Sequence, residues 1–321
     1  MFSVYASAPN PEDPLASLVV GEQPSPKPRA GWVPVRVGAA SLNMHDIWTL
    51  RGVGLAEDQF PMILGCDGAG TLADGTEVVI HSIVNAPGWR GDETLDPQRT
   101  LLTEKYQGTF AEVVLVPEGN VIVKSQRIAM IHAAVMGTAW LTAYRMLFVK
   151  SGLRPGQRML IQGASGGVST ALIQLGRAAG MTVWVTGRTK EKRALAESLG
   201  AHEVFETGDR LPGRVDAVFE TVGEATWAHS MRAVRPGGAV ICSGATTGPH
   251  ADAELQRLFF LQIRVEGSTM GTRSELVDLL QFVEAAHIEP QVGLVLPMGE
   301  ADMGFQAMLA GETSGKIVFT R

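Results

Sequence analysis

The sequence predicts an α/β protein in which one chain of 321 residues carries a β-barrel-like part and a doubly wound parallel sheet. Three observations predict it. Residues up to about 116 read as short strands broken by Gly and Pro. From about Asn120, apolar strand runs alternate with segments of helical spacing. After Gly271 the pattern is mixed again and ends in apolar Ile317-Val318-Phe319. Short strands with frequent turns suggest a barrel, and strand–helix alternation a parallel sheet with right-handed crossovers.

In the first part, Val33, Val35 and Val37 alternate around Pro34 and Arg36, with Pro34 expected at an edge or bulge because it has no N–H for a ladder. Glu77-Val78-Val79-Ile80 follows the turn Asp74-Gly75, and Phe110 to Val116 is another apolar run. Residues 81–108 form one polar connection, longer than ordinary loops. In the second part, Met159-Leu160-Ile161 leads into a glycine loop, after which Val168, Leu172, Leu175 and Ala179 recur at helical spacing until Gly180. Val183-Trp184-Val185 is the next strand, and Lys190 to Leu199 a second helix stopped by Gly200. Asp216 to Phe219 and Ala239 to Cys242 read as further buried strands, followed by Arg264-Val265-Glu266.

Composition removes several function classes. Hydrophobic residues make up 45% and charged ones 19%, which supplies a core and excludes a disordered chain. Twenty-seven basic against thirty-three acidic side chains, with no basic run, exclude nucleic acid as the main partner. The 37 glycines follow no collagen-like period, so they mark turns and close backbone approaches. Cys66 and Cys242 are the only cysteines, too few for a disulfide scaffold or a four-cysteine metal site. No run approaches the roughly 18 apolar residues of a membrane span, and Met1 to Pro14 lacks the pattern of a signal peptide. The expectation is a cytoplasmic protein without a membrane partner.

Gly163-Ala164-Ser165-Gly166-Gly167-Val168 joins a strand to a helix, the context in which glycines let the backbone approach a pyrophosphate at a helix start. Ser169 stands where a third glycine would ease helix–sheet packing. The next strand runs into Thr186-Gly187-Arg188-Thr189 without the acid that binds a ribose 2′-hydroxyl. Arg188 can instead grip a 2′-phosphate in a fork, which selects NADPH. Lys192 can add charge, although Lys192 and Arg193 read first as solvated charges on a helix start.

Leu42-Asn43-Met44-His45-Asp46, Gly65-Cys66-Asp67-Gly68-Ala69-Gly70, Gly108-Thr109-Phe110-Ala111-Glu112, the glycine loop and Gly315-Lys316-Ile317-Val318 occur in that order. Together they resemble the medium-chain dehydrogenase/reductase superfamily, and within it the zinc-independent quinone oxidoreductase branch. The resemblance implies a GroES-like catalytic domain (residues 1–118), an inserted Rossmann domain that binds NADP (119–270) and a return to the catalytic domain (271–321). Where zinc-dependent members have their ligands, this chain has Asn43, Cys66 with Asp67, and Thr138. One thiol and no histidine is not a zinc site, and residues 81–108 lack the four cysteines of the structural zinc lobe.

The resemblance implies hydride delivery from NADPH to a quinone or an activated carbon–carbon double bond, with the protein steadying charge on the carbonyl oxygen. Asn43 is the first candidate for that work; it equally suits the cap of a turn. Trp48 stands where related reductases often carry a tyrosine, so the proton comes from water or His45. Asp46 and Asp67 either bind the ribose, position a neighbour or satisfy backbone donors. Trp48, Phe60, Cys66 and Trp89 are candidates for an apolar substrate pocket, each with a packing role as the alternative. Ser243-Gly244-Ala245 and Ser268-Thr269-Met270 end the last two strands and border the nicotinamide, because such ends form the crevice of an open α/β sheet. By resemblance, Thr138 and Thr142 lie near the nicotinamide ribose, Val222 beside the adenosine, and Lys316 among the cofactor contacts. The implied partners are a small-molecule substrate and a second copy of the chain. The alternatives are an alcohol dehydrogenase-like reductase of aldehydes or ketones, and a low-turnover NADPH-binding redox sensor.

Overall fold

The strand elements of the first part come from the apolar alternation just described, each ended by Gly, Pro or a polar turn. In the computed structural model, which describes residues 1–321, they are β1 (Phe2–Ala6), β2 (Leu18–Glu22), β3 (Trp32–Ser41), β4 (Met62–Ile63), β5 (Asp67–Thr71), β6 (Glu77–Ile80), β7 (Ile83–Val84), β8 (Thr100–Leu101), β9 (Val113–Pro117) and β10 (Val121–Val123). The only regular helix before residue 100 is α1 (Met44–Leu50). Val35 and Val37 of β3 point into the core while Pro34 and Arg36 face out. Pro34 lies opposite Leu115 of β9, in the stretch of β3 that β9 alone borders, so its missing N–H breaks no ladder. The connection 81–108 is ordered: β7 and β8 pair antiparallel, and buried Asp96 accepts hydrogen bonds from Ala86 N, Gln98 N and Asn85.

The chain then forms two short helices, α2 (Met130–Ala133) and α3 (Leu141–Tyr144), bordered by π-helical turns at Met136–Trp140 and Arg145–Lys150. Beyond them run β11 (Arg158–Gln162), α4 (Gly167–Ala178), β12 (Thr182–Gly187), α5 (Lys190–Ser198), β13 (Glu203–Glu206), β14 (Val215–Glu220), α6 (Glu224–Ala233), β15 (Val234–Cys242), α7 (Leu255–Phe260) and β16 (Arg264–Gly267). All six strands are parallel, in the order β13-β12-β11-β14-β15-β16, the 3-2-1-4-5-6 order of a Rossmann sheet. Edge strand β13 has no apolar run to announce it: two glutamates flank Val204 and Phe205, and one neighbour suffices. The last segment supplies α8 (Arg273–Ala285), β17 (Val292–Pro297), α9 (Ala301–Ala310) and β18 (Lys316–Thr320).

Two units result, Met1–Ala139 with Gly271–Arg321, and Trp140–Met270. Residues 119–139, which the resemblance assigned to the second domain, pack with the first unit, where β10 pairs with β6. In the first unit β18 pairs with β3 and β17, giving the sheet β10-β6-β5-β3-β18-β17 with β9 alongside β3. The fully buried Phe110 ring meets Phe305 of α9 and Phe319 of β18 edge-on, so segments from both ends of the chain share one core. Trimming that ring, Phe110→Ala, is expected to cost about 3–5 kcal/mol, read by chemical denaturation; a loss below about 1 kcal/mol would contradict this packing.

Candidate active site

Four turns of backbone gather polar groups inside the first unit. Asn43 starts α1 in an extended conformation, and the Asp46 carboxylate accepts hydrogen bonds from Asn43 N (2.9 Å) and Gly65 N (2.7 Å). Gly65 is required there: its φ is +91°, and a Cβ would lie 2.4 Å from the Phe110 ring. Burial raises the Asp46 carboxyl to about 6, against the pull of His45, these two N–H groups and Lys316. Both of its oxygens accept from backbone, which ties the start of α1 to the turn at Gly65.

The Asn43 side chain turns inward. Its Nδ2 donates to Asp67 Oδ2 (2.8 Å) and Ser41 O (3.2 Å), with Cys66 Sγ at 3.6 Å, and its Oδ1 accepts from Lys316 Nζ (2.6 Å). The Lys316 ammonium also donates to Leu42 O (2.7 Å) and approaches Asp67 Oδ2 (3.4 Å). Asp67 further accepts from Ser41 Oγ (2.9 Å) and, on Oδ1, from Thr138 Oγ1 (2.5 Å). Gly137 makes room for this: a Cβ there would lie 2.9 Å from Asp67 Oδ1 and 3.0 Å from Ile80 O. Cys66 is fully buried with Thr138 Oγ1 at 3.5 Å; burial, then the charges of Asp46 and Asp67, push its thiol well above the ordinary range.

Lys316 thus directs its ammonium to three acceptors inside the first unit, Leu42 O, Asn43 Oδ1 and Asp67 Oδ2. Thr138 likewise gives its proton to Asp67. His45 is mostly buried, with Nε2 unpartnered and Glu104 Oε1 3.9 Å away. Of the aromatic candidates, Trp48 is 43% exposed on α1, Phe60 packs on the core, and Trp89 is exposed with Nε1 donating to Asp92 O.

In the second unit Gly163 has φ +86°, which the turn into α4 requires. The first helical bond of α4 is Thr170 N to Gly166 O, and no side chain caps the start, so the N–H groups of Gly167, Val168 and Ser169 are open to an anion. Ala164 is buried behind the loop; Ser165 and Gly166 are at its surface. Arg188 at the end of β12 is exposed and unpaired. Arg193, by contrast, is tied to Gly187 O (2.7 Å), and Thr189 caps α5 through Lys192 N. Thr142 is buried in α3, and Ser243 Oγ lies 3.0 Å from Met146 Sδ. Gly244 packs on Thr221, with Ala245 O accepting from Gly248 N. The turn after β16 leaves Ser268 Oγ buried without a partner, Thr269 exposed and Met270 buried with φ +49°. The sequence pattern did not single out Ser41 or Glu104; Glu104 lies in the 81–108 connection and Ser41 reads as one more strand residue.

One unit carries a glycine loop on a 3-2-1-4-5-6 sheet and the other is barrel-type, and known proteins share both. Residues 29–126 match the family described as "Alcohol dehydrogenase GroES-like domain", and residues 167–285 the one described as "Zinc-binding dehydrogenase". Quinone oxidoreductase of Mus musculus is 24% identical over 311 residues, covering 91% of this chain and 90% of that protein. Acryloyl-coenzyme A reductase of Sulfurisphaera tokodaii is 24% identical over 332 residues, covering 95% and 97%. The crystal structure of an NAD-dependent alcohol dehydrogenase, 30% identical, matches with a TM-score of 0.92 over 100% of both chains. The chain belongs to the medium-chain dehydrogenase/reductase superfamily, a family of oxidoreductases.

The zinc in one of those descriptions does not suit the residues at this site. Zinc takes thiolate, imidazole or carboxylate ligands. Here Asn43 is a neutral amide turned inward, Cys66 is held as the thiol, and the Lys316 ammonium stands among them. No group of three His, Cys, Asp or Glu side chains is arranged to hold a metal ion.

Asp46→Asn is expected to flatten the pH dependence of unfolding between about pH 4 and 6. The folded carboxyl titrates near 6 and the unfolded one near 3.8, so the folded state holds more protons in that window and stability falls as pH rises through it. The group accounts for about 3 kcal/mol across the window, and urea melts of both proteins at each pH read the difference; parallel pH profiles would contradict it.

Proposed function

We propose that the protein is an NADPH-dependent, zinc-independent reductase of quinones or activated carbon–carbon double bonds. The observation that carries the reading is the first unit's polar cluster, in which a lysine ammonium and a neutral amide stand where a metal-dependent relative needs ligands. Without a Lewis acid to polarise it, the substrate must arrive already electrophilic by conjugation. The mouse quinone oxidoreductase and the Sulfurisphaera acryloyl-coenzyme A reductase, by their names, act on substrates of that kind, which supports the reading.

The second unit suits NADPH. The open N–H groups at the start of α4 would take the pyrophosphate, unpaired Arg188 the 2′-phosphate, and the orphan Ser268 hydroxyl a polar group at the nicotinamide end. When bound, NADPH supplies the hydride. Asn43 cannot also donate outward, since its amide protons serve Asp67 and Ser41. We assign the proton to His45, whose buried Nε2 has no hydrogen-bond partner and lies 3.9 Å from Glu104 Oε1. A second reading, an alcohol dehydrogenase-like reductase, is favoured by the 30% identical NAD-dependent relative.

The small-molecule oxidoreductase is further proposed to work as a homodimer in the cytoplasm, in keeping with its two unpaired cysteines. β16 has one neighbour only, and Val265 on it is 40% exposed. Antiparallel self-pairing about Val265 sets Arg264 opposite Glu266 of the second copy at both ends. No helix is long and apolar enough to cross a membrane.

Three measurements follow. NADPH oxidation is expected with quinones and enones and not with simple aldehydes, and turnover on aldehydes alone would establish the second reading. Arg188→Ala should weaken NADPH about tenfold or more and leave NADH unchanged; equal binding of both by the wild type would contradict NADPH. Glu266→Arg, which sets like charges opposite each other, should convert a dimer to a monomer by light scattering; a wild-type monomer would end the dimer proposal.

A further inference from the structure

The three central strands of the six-stranded sheet carry buried polar side chains at one end. β11 ends in Gln162, β14 in Glu220, and β12 reaches Thr186 one residue before its end; all three are 0% exposed. A parallel sheet covered on both faces tends to run apolar along its strands, as Met159 to Ile161, Val183 to Val185 and Ala217 to Phe219 do. The polar ends need a reason, because each unpaired buried group is destabilising.

They form one chain of hydrogen bonds with a single direction. Thr186 Oγ1 donates to Gln162 Oε1 (2.6 Å) and receives a longer contact from Gly163 N (3.4 Å). Gln162 Nε2 donates to His229 Nδ1 (2.8 Å) and Ser230 Oγ (2.9 Å). Ser230 donates to Glu220 Oε2 (2.6 Å), and Glu220 Oε1 accepts from Val222 N and Gly223 N. His229 Nε2 donates to Asp209 O (2.9 Å), which leaves Nδ1 free to accept. Gln162 thus uses its oxygen and both amide protons, and turning the amide over would set its oxygen against an accepting nitrogen.

The groups joined belong to the dinucleotide reading. Gly163 opens the glycine loop, Thr186 stands two residues before Arg188, and the Val222 side chain borders Gly163. We propose that Gln162 is a positioning residue that fixes the spacing between the pyrophosphate loop and the Arg188 segment, so that the two anionic parts of NADPH are gripped together. The inference rests on the NADPH reading above. Two-point recognition raises affinity only where both points fit without rearrangement, and a rigid link between the two strand ends provides that. Such a link weighs on NADPH more than on NADH, which lacks the second anionic group, whereas a link that only stabilises the fold weighs on both alike.

The test is dissociation constants for NADPH and NADH, by fluorescence titration, in wild type, Gln162→Leu and Thr186→Val, each with and without Arg188→Ala. Thr186→Val keeps the side-chain shape and removes one link, so it carries the test if Gln162→Leu does not fold. Thermal melts establish which variants are folded. The expected result is a loss of about tenfold for NADPH with a smaller loss for NADH, and a smaller effect of Arg188→Ala in the altered backgrounds than in wild type. A folded variant with an unchanged NADPH-to-NADH ratio and additive Arg188→Ala effects would overturn the positioning role while leaving the NADPH reading in place. A wild type that binds both nucleotides equally would overturn both.

Discussion

The Asp67 carboxylate is the group on which the first unit depends. Fully buried, it collects Ser41 from β3, Asn43 from the start of α1, Thr138 from the turn before α3, and Lys316 from β18. A carboxylate in that position is tolerable only because a cation and several donors reach it, and removing one partner from such a pair typically costs about 3–5 kcal/mol. Lys316 is 249 residues away in sequence, so the charge balance of the barrel is completed by the far end of the chain. That requirement accounts for why the chain returns to its first unit after the second. The ring cluster of Phe110, Phe305 and Phe319 makes the same connection with apolar surface.

The cluster also limits the chemistry. Its protons are committed inward: the Asn43 amide to Asp67 and Ser41, Thr138 to Asp67, the ammonium to Leu42, Asn43 and Asp67. A preorganised set of this kind holds its members still, and leaves little to polarise an unactivated carbonyl. In the proposed reaction the electrophile carries its own activation, and the proposed proton source is His45, whose Nε2 has no hydrogen-bond partner.

Much of this was legible in the sequence, and the limits have physical causes. Regular patterns carried the Rossmann unit: the apolar runs of β11, β12, β14 and β15, the helical spacing of α4, and the glycines whose positive φ the turn demands. Arg188 was legible as a candidate because it stands at the strand end where a local residue meets the ribose of a dinucleotide. β13 was not, since an exposed two-sided edge strand has no hydrophobic period. Lys316 and Asp46 were placed by type and motif, whereas their directions depend on partners far along the chain or on backbone N–H groups that no pattern displays. Asn43-x-x-Asp46 does have capping-box spacing, and in hindsight that spacing marks Asp46 as an anchor. Gln162 ends an apolar run in the sequence and becomes informative only when the sheet order sets it between Thr186 and Glu220.

The central claim is metal-free hydride delivery to a conjugated electrophile. The most direct measurement is deuterium transfer from C4-labelled NADPH to an α,β-unsaturated carbonyl compound, followed by mass spectrometry on chelator-treated protein. The account predicts product labelled at the β-carbon, at a rate that the chelator leaves unchanged. Product without the label, or activity lost on chelation and restored by zinc, would contradict it.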